Sequence, residues 1–146
     1  MISDNHKSEI KKLLNEEITI CYEILDYTQK FENLIESDEF NKATDIMKES
    51  LEKANKVPLI EKKINSIINE NKISKDSLKN EFGSYIEKIS KTLNEISELD
   101  DKIDVLINKK KDFILEDLKN LRVGKSFYKE YLSSLKGNKG YIDIKE

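Results

Sequence analysis

Residues 75–107 read KDSLKNEFGSYIEKISKTLNEISELDDKIDVLI, and the spacing of their apolar members decides the fold. Leu78, Phe82, Ile86, Ile89, Leu93, Ile96, Leu99, Ile103 and Leu106 recur at gaps of three or four. On a helix that spacing lays them along one stripe, with charged residues on the other faces. The pattern continues without proline through Leu118, Leu121, Tyr128 and Leu132 to about Leu135. At ~1.5 Å per residue, an unbroken helix of this extent would be roughly 90 Å long, far beyond the body of so small a protein. It must stand clear of its neighbours, pair with a second chain, or fold back at a break. Gly124 is the expected weak point, because glycine costs about 1 kcal/mol relative to alanine inside a helix.

Upstream, Ile10, Leu13, Leu14, Ile18, Cys21, Ile24, Leu25, Thr28, Phe31 and Ile35 predict a first helix from about His6. Residues 1–5 are expected to fray, with Ser3 or Asp4 available as a cap. The run Glu36-Ser37-Asp38-Glu39 breaks the pattern, and Ser37 or Asp38 is the expected N-cap of a second helix. That helix carries Phe40, Ala43, Met47, Leu51 and Ala54 on one face, and the short connection predicts an antiparallel hairpin. Val57-Pro58 then interrupts; Pro58 either opens a new helix or kinks the existing one. Leu59, Ile60, Ile64, Ile67 and Ile68 extend the apolar face toward Asn71. A turn follows over residues 69–75, with Ser74 or Asp76 capping the long helix. KGNKG at 136–140 ends helical structure, and residues 141–146 read as an extended or disordered arm. The expectation is one all-α domain over residues 1–146, flexible at 1–5 and 136–146. In it an antiparallel helical hairpin packs on a long C-terminal helix, as an elongated bundle or coiled-coil-like assembly.

Composition agrees. Charged residues make up 38% of the 146, aromatics 8%, and there are four glycines, one proline and no tryptophan, too few turn signals for an all-β fold. Acids and bases intersperse to a net charge of −3, so no strong single-sign field is expected. Arg122 is the one arginine among 26 basic residues, which argues against nucleic-acid recognition. A single cysteine, Cys21, excludes an internal disulfide and fits a reducing compartment. Neither a signal-peptide core nor a run near ~18 apolar residues is present, so a soluble, cytoplasmic protein with no membrane partner is expected.

Catalytic chemistry has little to build on. His6, the one histidine, lies at the chain start, and Cys21 sits on an apolar stripe with no other histidine to activate it. No histidine pair, cysteine cluster or glycine-rich phosphate loop offers a metal or cofactor site, and none is expected. The acid pairs Glu16-Glu17 and Asp100-Asp101 read as solvated faces, and Lys109-Lys110-Lys111 as an exposed turn of helix. The stripe over residues 78–107 reads first as a bundle core or homodimer seam. Beyond it, Ile114, Leu118, Leu121, Phe127, Tyr128, Tyr131 and Leu132 add apolar length that the hairpin is too short to cover, the mark of a partner site or self-docking segment.

Three stretches carry a resemblance: ELDDKIDVLI at 98–107, LKNLRVGK at 118–125 leading to an aromatic turn through Tyr131, and GYIDIK at 140–145. In this order they resemble the FliT-type flagellar export chaperones, with the FlgN-type chaperones of the hook–filament junction proteins as close competitor. The first hairpin, with its acidic turn at 36–39, is also similar. The resemblance implies a small, non-enzymatic, cytoplasmic all-α chaperone. Such a chaperone holds the filament-cap protein FliD unpolymerised and delivers it to the flagellar type III export apparatus, including its ATPase and export gate. It also implies a C-terminal helix that folds back and limits partner access, with Gly124 as the hinge. On this reading Leu118, Leu121, Phe127, Tyr128 and Tyr131 form the switchable partner-facing set. Ile89, Leu93, Ile96, Leu99 and Ile103 line the floor of an apolar groove. The reading outside this class is a structural coiled coil, homodimeric through the long helix.

Overall fold

The chain's structure is a computed structural model that describes residues 2–110. Helix α1 (Asp4–Glu36) starts at Ser3, whose hydroxyl accepts the His6 backbone N–H at 3.3 Å, with Asp4 in the first turn where the helix dipole favours an acid. The expected fray is thus corrected: Asp4 and Asn5 are helical, and Ile2 folds into the core, because an isoleucine beside a capped helix end gains by leaving water.

The first turn closes by a two-bond helix C-cap. Asp38 takes φ 59°, its N–H reaches the Ile35 carbonyl at 3.1 Å, and the Glu39 N–H reaches Leu34 at 2.9 Å. Ser37 therefore serves the end of α1, donating its hydroxyl to the Asn33 carbonyl, and the N-cap of helix α2 (Phe40–Ala54) is Glu39, whose side chain accepts from Lys42 and makes no capping bond to the backbone. This corrects the expected Ser37 or Asp38 cap: a residue in the left-handed region ends one helix and cannot also start the next. Helix α3 (Val57–Glu70) is a separate helix with Pro58 in its first turn, where a missing N–H costs nothing. It ends on the same two-bond motif, with Lys72 at φ 50° and the Ile73 N–H on the Ile68 carbonyl at 3.0 Å. Helix α4 (Lys75–Lys109) is capped by Ser74, which accepts the Ser77 N–H at 3.1 Å.

α1 is the hub. α4 runs parallel to it, with Lys7 paired to Glu81 at 3.0 Å near one end and Lys110 bound to the end of α1 at the other. α2 and then α3 return along another side of α1, with Lys53 paired to Glu23 at 2.7 Å. The described residues form an all-α bundle, the expected hairpin packed on the long helix. α4 ends at Lys109 with Lys110 as its C-cap, level with the C-terminus of α1; the expected continuation of the pattern to about Leu135 lies outside the described residues. Gly124 and the residues from 111 onward lie outside the described residues.

Among the described residues two apolar clusters form the core. The larger joins Ile10, Leu14, Ile18 and Ile24 of α1 to Ile60 and Ile64 of α3 and to Phe82, Ile86, Ile89, Leu93 and Ile96 of α4. The smaller sits at the α1–α2 turn and holds Phe31, Ile35, Phe40, Ala43, Met47, Ile103 and Ile107.

Candidate functional site

Four of the five residues read as a groove floor belong to this interior. Ile89, Leu93, Ile96 and Ile103 are buried and Leu99 is half-buried. The stripe of α1 covers them, so in this arrangement they are core and no open groove runs over them. Leu118, Leu121, Phe127, Tyr128 and Tyr131 lie outside the described residues.

The acid pairs are also placed differently from expectation. Glu17 and Asp100 are both 0% exposed, whereas Glu16 and Asp101 face solvent. Adjacent helical residues point about 100° apart, so where a stripe runs beside such a pair one member turns inward. Glu61 of α3 is buried as well. The two interhelical ion pairs fix the register. They put Glu17, Glu61 and Thr92 within a turn of one level inside the larger cluster, and Thr28, Ser50 and Asp100 within a turn of another level between the clusters. Thr28 and Thr92 each donate to the carbonyl four residues back at 2.7 Å, whereas the buried Ser50 hydroxyl has no hydrogen-bond partner among the described residues. Polar layers of this kind oppose slippage of one helix along another, since a slip would set carboxyls against isoleucines.

No reactive centre emerges from these groups. Burial, reinforced by the Glu17 charge, pushes the Cys21 thiol far above its ordinary range, so it holds no reactive thiolate. His6 sits in the α1 cap, its Nδ1 2.8 Å from the Ser3 hydroxyl. Among the described residues no group of three or more His, Cys, Asp or Glu side chains could hold a metal ion.

Two surface features remain. Lys110, expected to be exposed, is half-buried and donates to the Ile35 carbonyl at 2.9 Å, the Glu36 carbonyl at 2.8 Å and Asp38 Oδ1 at 2.7 Å. One ammonium thereby ties the end of α4 to the end of α1 and to the turn that starts α2, a favourable place for a cation beside the last helical carbonyls. Sequence gave a single hint of this: the pattern of α1 ends in an acidic turn, and that of α4 ends in lysines at the same height. The second feature is a groove of about 690 Å³ along the outer face of α1 from Ser8 to Glu23, closed on one side by Lys53 and Lys56. It continues as a second hollow of about 570 Å³ between α1 and α3, which shares Lys12 and Glu16 with the first.

Among the described residues, no helix is long and apolar enough to cross a membrane. No family model, curated protein or solved structure matches the chain.

Proposed function

We propose that this protein is a non-enzymatic helical export chaperone of the FliT type. It binds an amphipathic helix of the filament-cap protein FliD, keeps FliD from assembling early, and hands it in the cytoplasm to the export ATPase and gate. The observation that carries this reading is in the sequence: Ile114, Leu118, Leu121, Phe127, Tyr128, Tyr131 and Leu132 recur at helical spacing in the stretch that also holds the motifs of the resemblance. Leu118, Leu121, Phe127, Tyr128 and Tyr131 are the client-facing set. Ile89, Leu93, Ile96 and Ile103 support the bundle from within. Homodimerisation through residues 78–107 is disfavoured because α1 already uses that stripe.

The test is co-purification of the full chain with FliD from the same genome, sized by light scattering. A stoichiometric complex that disappears when FliD loses its C-terminal segment is the expected result. A complex that appears only after deletion beyond Gly124 would make the last segment a self-inhibitory lid. If neither form binds FliD but the hook–filament junction proteins bind, the FlgN-type assignment replaces this one. If none of them binds, the chaperone reading is wrong. Replacing Leu121 and Tyr128 together with Asp should weaken the complex by tenfold or more, since aromatic and apolar anchors at interface centres are each worth about 2 kcal/mol.

A further inference from the structure

The outer face of α1 is the side of the hub that no described helix covers. Its residues from Ser8 through Lys11, Lys12, Asn15, Glu16 and Thr19 to Glu23 follow helical spacing, and all line the same groove. They span about four turns, or roughly 22 Å. Half-buried Ile20 and the edges of the otherwise buried Leu13 and Ile67 (8% and 9% exposed) give the groove and its continuation a narrow apolar line. Its walls are lysine: Lys53 and Lys56 at the α2–α3 junction, Lys62 and Lys63 on α3. Six lysines face three glutamates (Glu9, Glu16 and Glu23), on a protein whose net charge is −3. Lys53 is paired with Glu23, and its ammonium is held above its ordinary pKa by that hydrogen bond. Lys11, Lys12, Lys56, Lys62 and Lys63 have no ion-pair partner among the described residues.

We infer that this groove is a seat for a fourth helix, and that the occupant is an acidic amphipathic helix of a partner protein. Its apolar edge would lie on Leu13, Ile20 and Ile67 and its flanking Asp or Glu residues on the five unpaired lysines. Helix-in-groove recognition needs this combination of a narrow apolar floor and charged rims that set orientation. Residues 111–146 taken together carry eight Lys or Arg against six Asp or Glu, so their net charge does not match a lysine-walled groove as an acidic partner's would. Nucleic acid is disfavoured by the three glutamates in the groove and the absence of any arginine there. The groove residues are none of those in the client-facing set at 118–131, so the inference does not rest on the chaperone reading.

The experiment uses the full chain and a fluorescein-labelled 18-residue helical peptide with Leu at i, i+3, i+4 and i+7 and Glu on both flanks. Its partner is the same peptide with every Glu changed to Lys. Anisotropy titration should show saturable binding of the acidic peptide and at least tenfold weaker binding of the basic one. Affinity should fall as salt rises. The variant Lys11→Glu/Lys12→Glu/Lys56→Glu/Lys63→Glu should lose at least tenfold in affinity while its circular dichroism is unchanged. The milder Lys→Gln version at the same four positions should lose less. Leu121→Asp/Tyr128→Asp should bind the acidic peptide as the parent does, which keeps this test distinct from that of the client site. Equal binding of both peptides, an unaffected charge-reversed variant, tighter binding of a single-stranded oligonucleotide, or concentration-dependent self-association blocked by the same four changes would each overturn the inference.

Discussion

The two ends of the bundle solve the same problem with different means. At the α3 end, α1, α3 and α4 meet over a long apolar cluster, and Ile2 folds in to extend it. The connection into α4 is finished locally: Lys72 takes the left-handed turn, Ile73 packs on the cluster, and Ser74 caps the next helix. At the α1–α2 turn seven buried apolar residues form the cluster among the described residues, and the closing element is long-range. There Lys110, more than seventy residues away in sequence, holds the two last carbonyls of α1 and the Asp38 carboxylate. An end closed by a broad cluster resists local opening. One closed by a few apolar side chains and a single ammonium opens more readily than the molecule unfolds.

The largest expected effects come from truncating one isoleucine in each cluster. Ile96→Ala and Ile103→Ala should each cost about 2–5 kcal/mol by lost burial and cavity formation. They should differ in where the loss appears. Ile96→Ala should lower the urea midpoint of the whole bundle, whereas Ile103→Ala should mainly speed hydrogen exchange of amides in residues 40–51 and 100–109. Equal loss of protection throughout the molecule in both variants would erase the distinction between the ends.

Next in size is Lys110→Met, which keeps the aliphatic stem and removes the ammonium. It should lower the opening free energy of the α1–α2 turn by about 1–2 kcal/mol, as expected for charge-assisted hydrogen bonds that remain partly solvated. The midpoint of global unfolding should move less. The smallest effects separate the two left-handed turn residues. Lys72→Gly should stabilise by about 0.5–1 kcal/mol, because glycine adopts φ 50° without the Cβ penalty. Asp38→Gly relieves the same strain but gives up the contact with Lys110, so its net change should be near zero or destabilising. A matching gain at both sites would show that Lys110 adds nothing. Cys21 offers a probe of the larger cluster: its thiol should react with a disulfide reagent at pH 8 only as fast as the bundle unfolds. Because burial raises its pKa in the folded state, ionisation should favour the unfolded chain as pH rises past the thiol's ordinary value of 9.0.

The helices and their stripes could be read from the sequence because three- and four-residue spacing is a direct consequence of helical geometry. The breaks at 36–39, Pro58 and 69–75 are legible because capping, polar and proline residues interrupt that spacing. Less visible were the details that depend on a residue's partner elsewhere in the chain. Asp38 and Lys72 end helices in a conformation usually marked by glycine, so the chemistry of Ser37 and Asp38 pointed to the wrong helix. Glu17, Glu61 and Asp100 look like ordinary surface acids until the register of three helices turns them inward. Lys110 looks like one of three exposed lysines until the end of α4 meets the end of α1. The lysine groove has no signature in any one stretch, because its members come from three helices and an interhelical turn and no single stretch is strongly basic.

The measurement that bears most directly on this account is native-state hydrogen exchange of the full chain, read residue by residue across sub-denaturing urea. The account predicts that amides of residues 10–24 and 82–96 exchange only through global unfolding. Those of residues 40–47 and 103–109 should exchange through a lower-energy opening that Lys110→Met makes easier still. One common opening energy for both regions, unchanged by Lys110→Met, would contradict it.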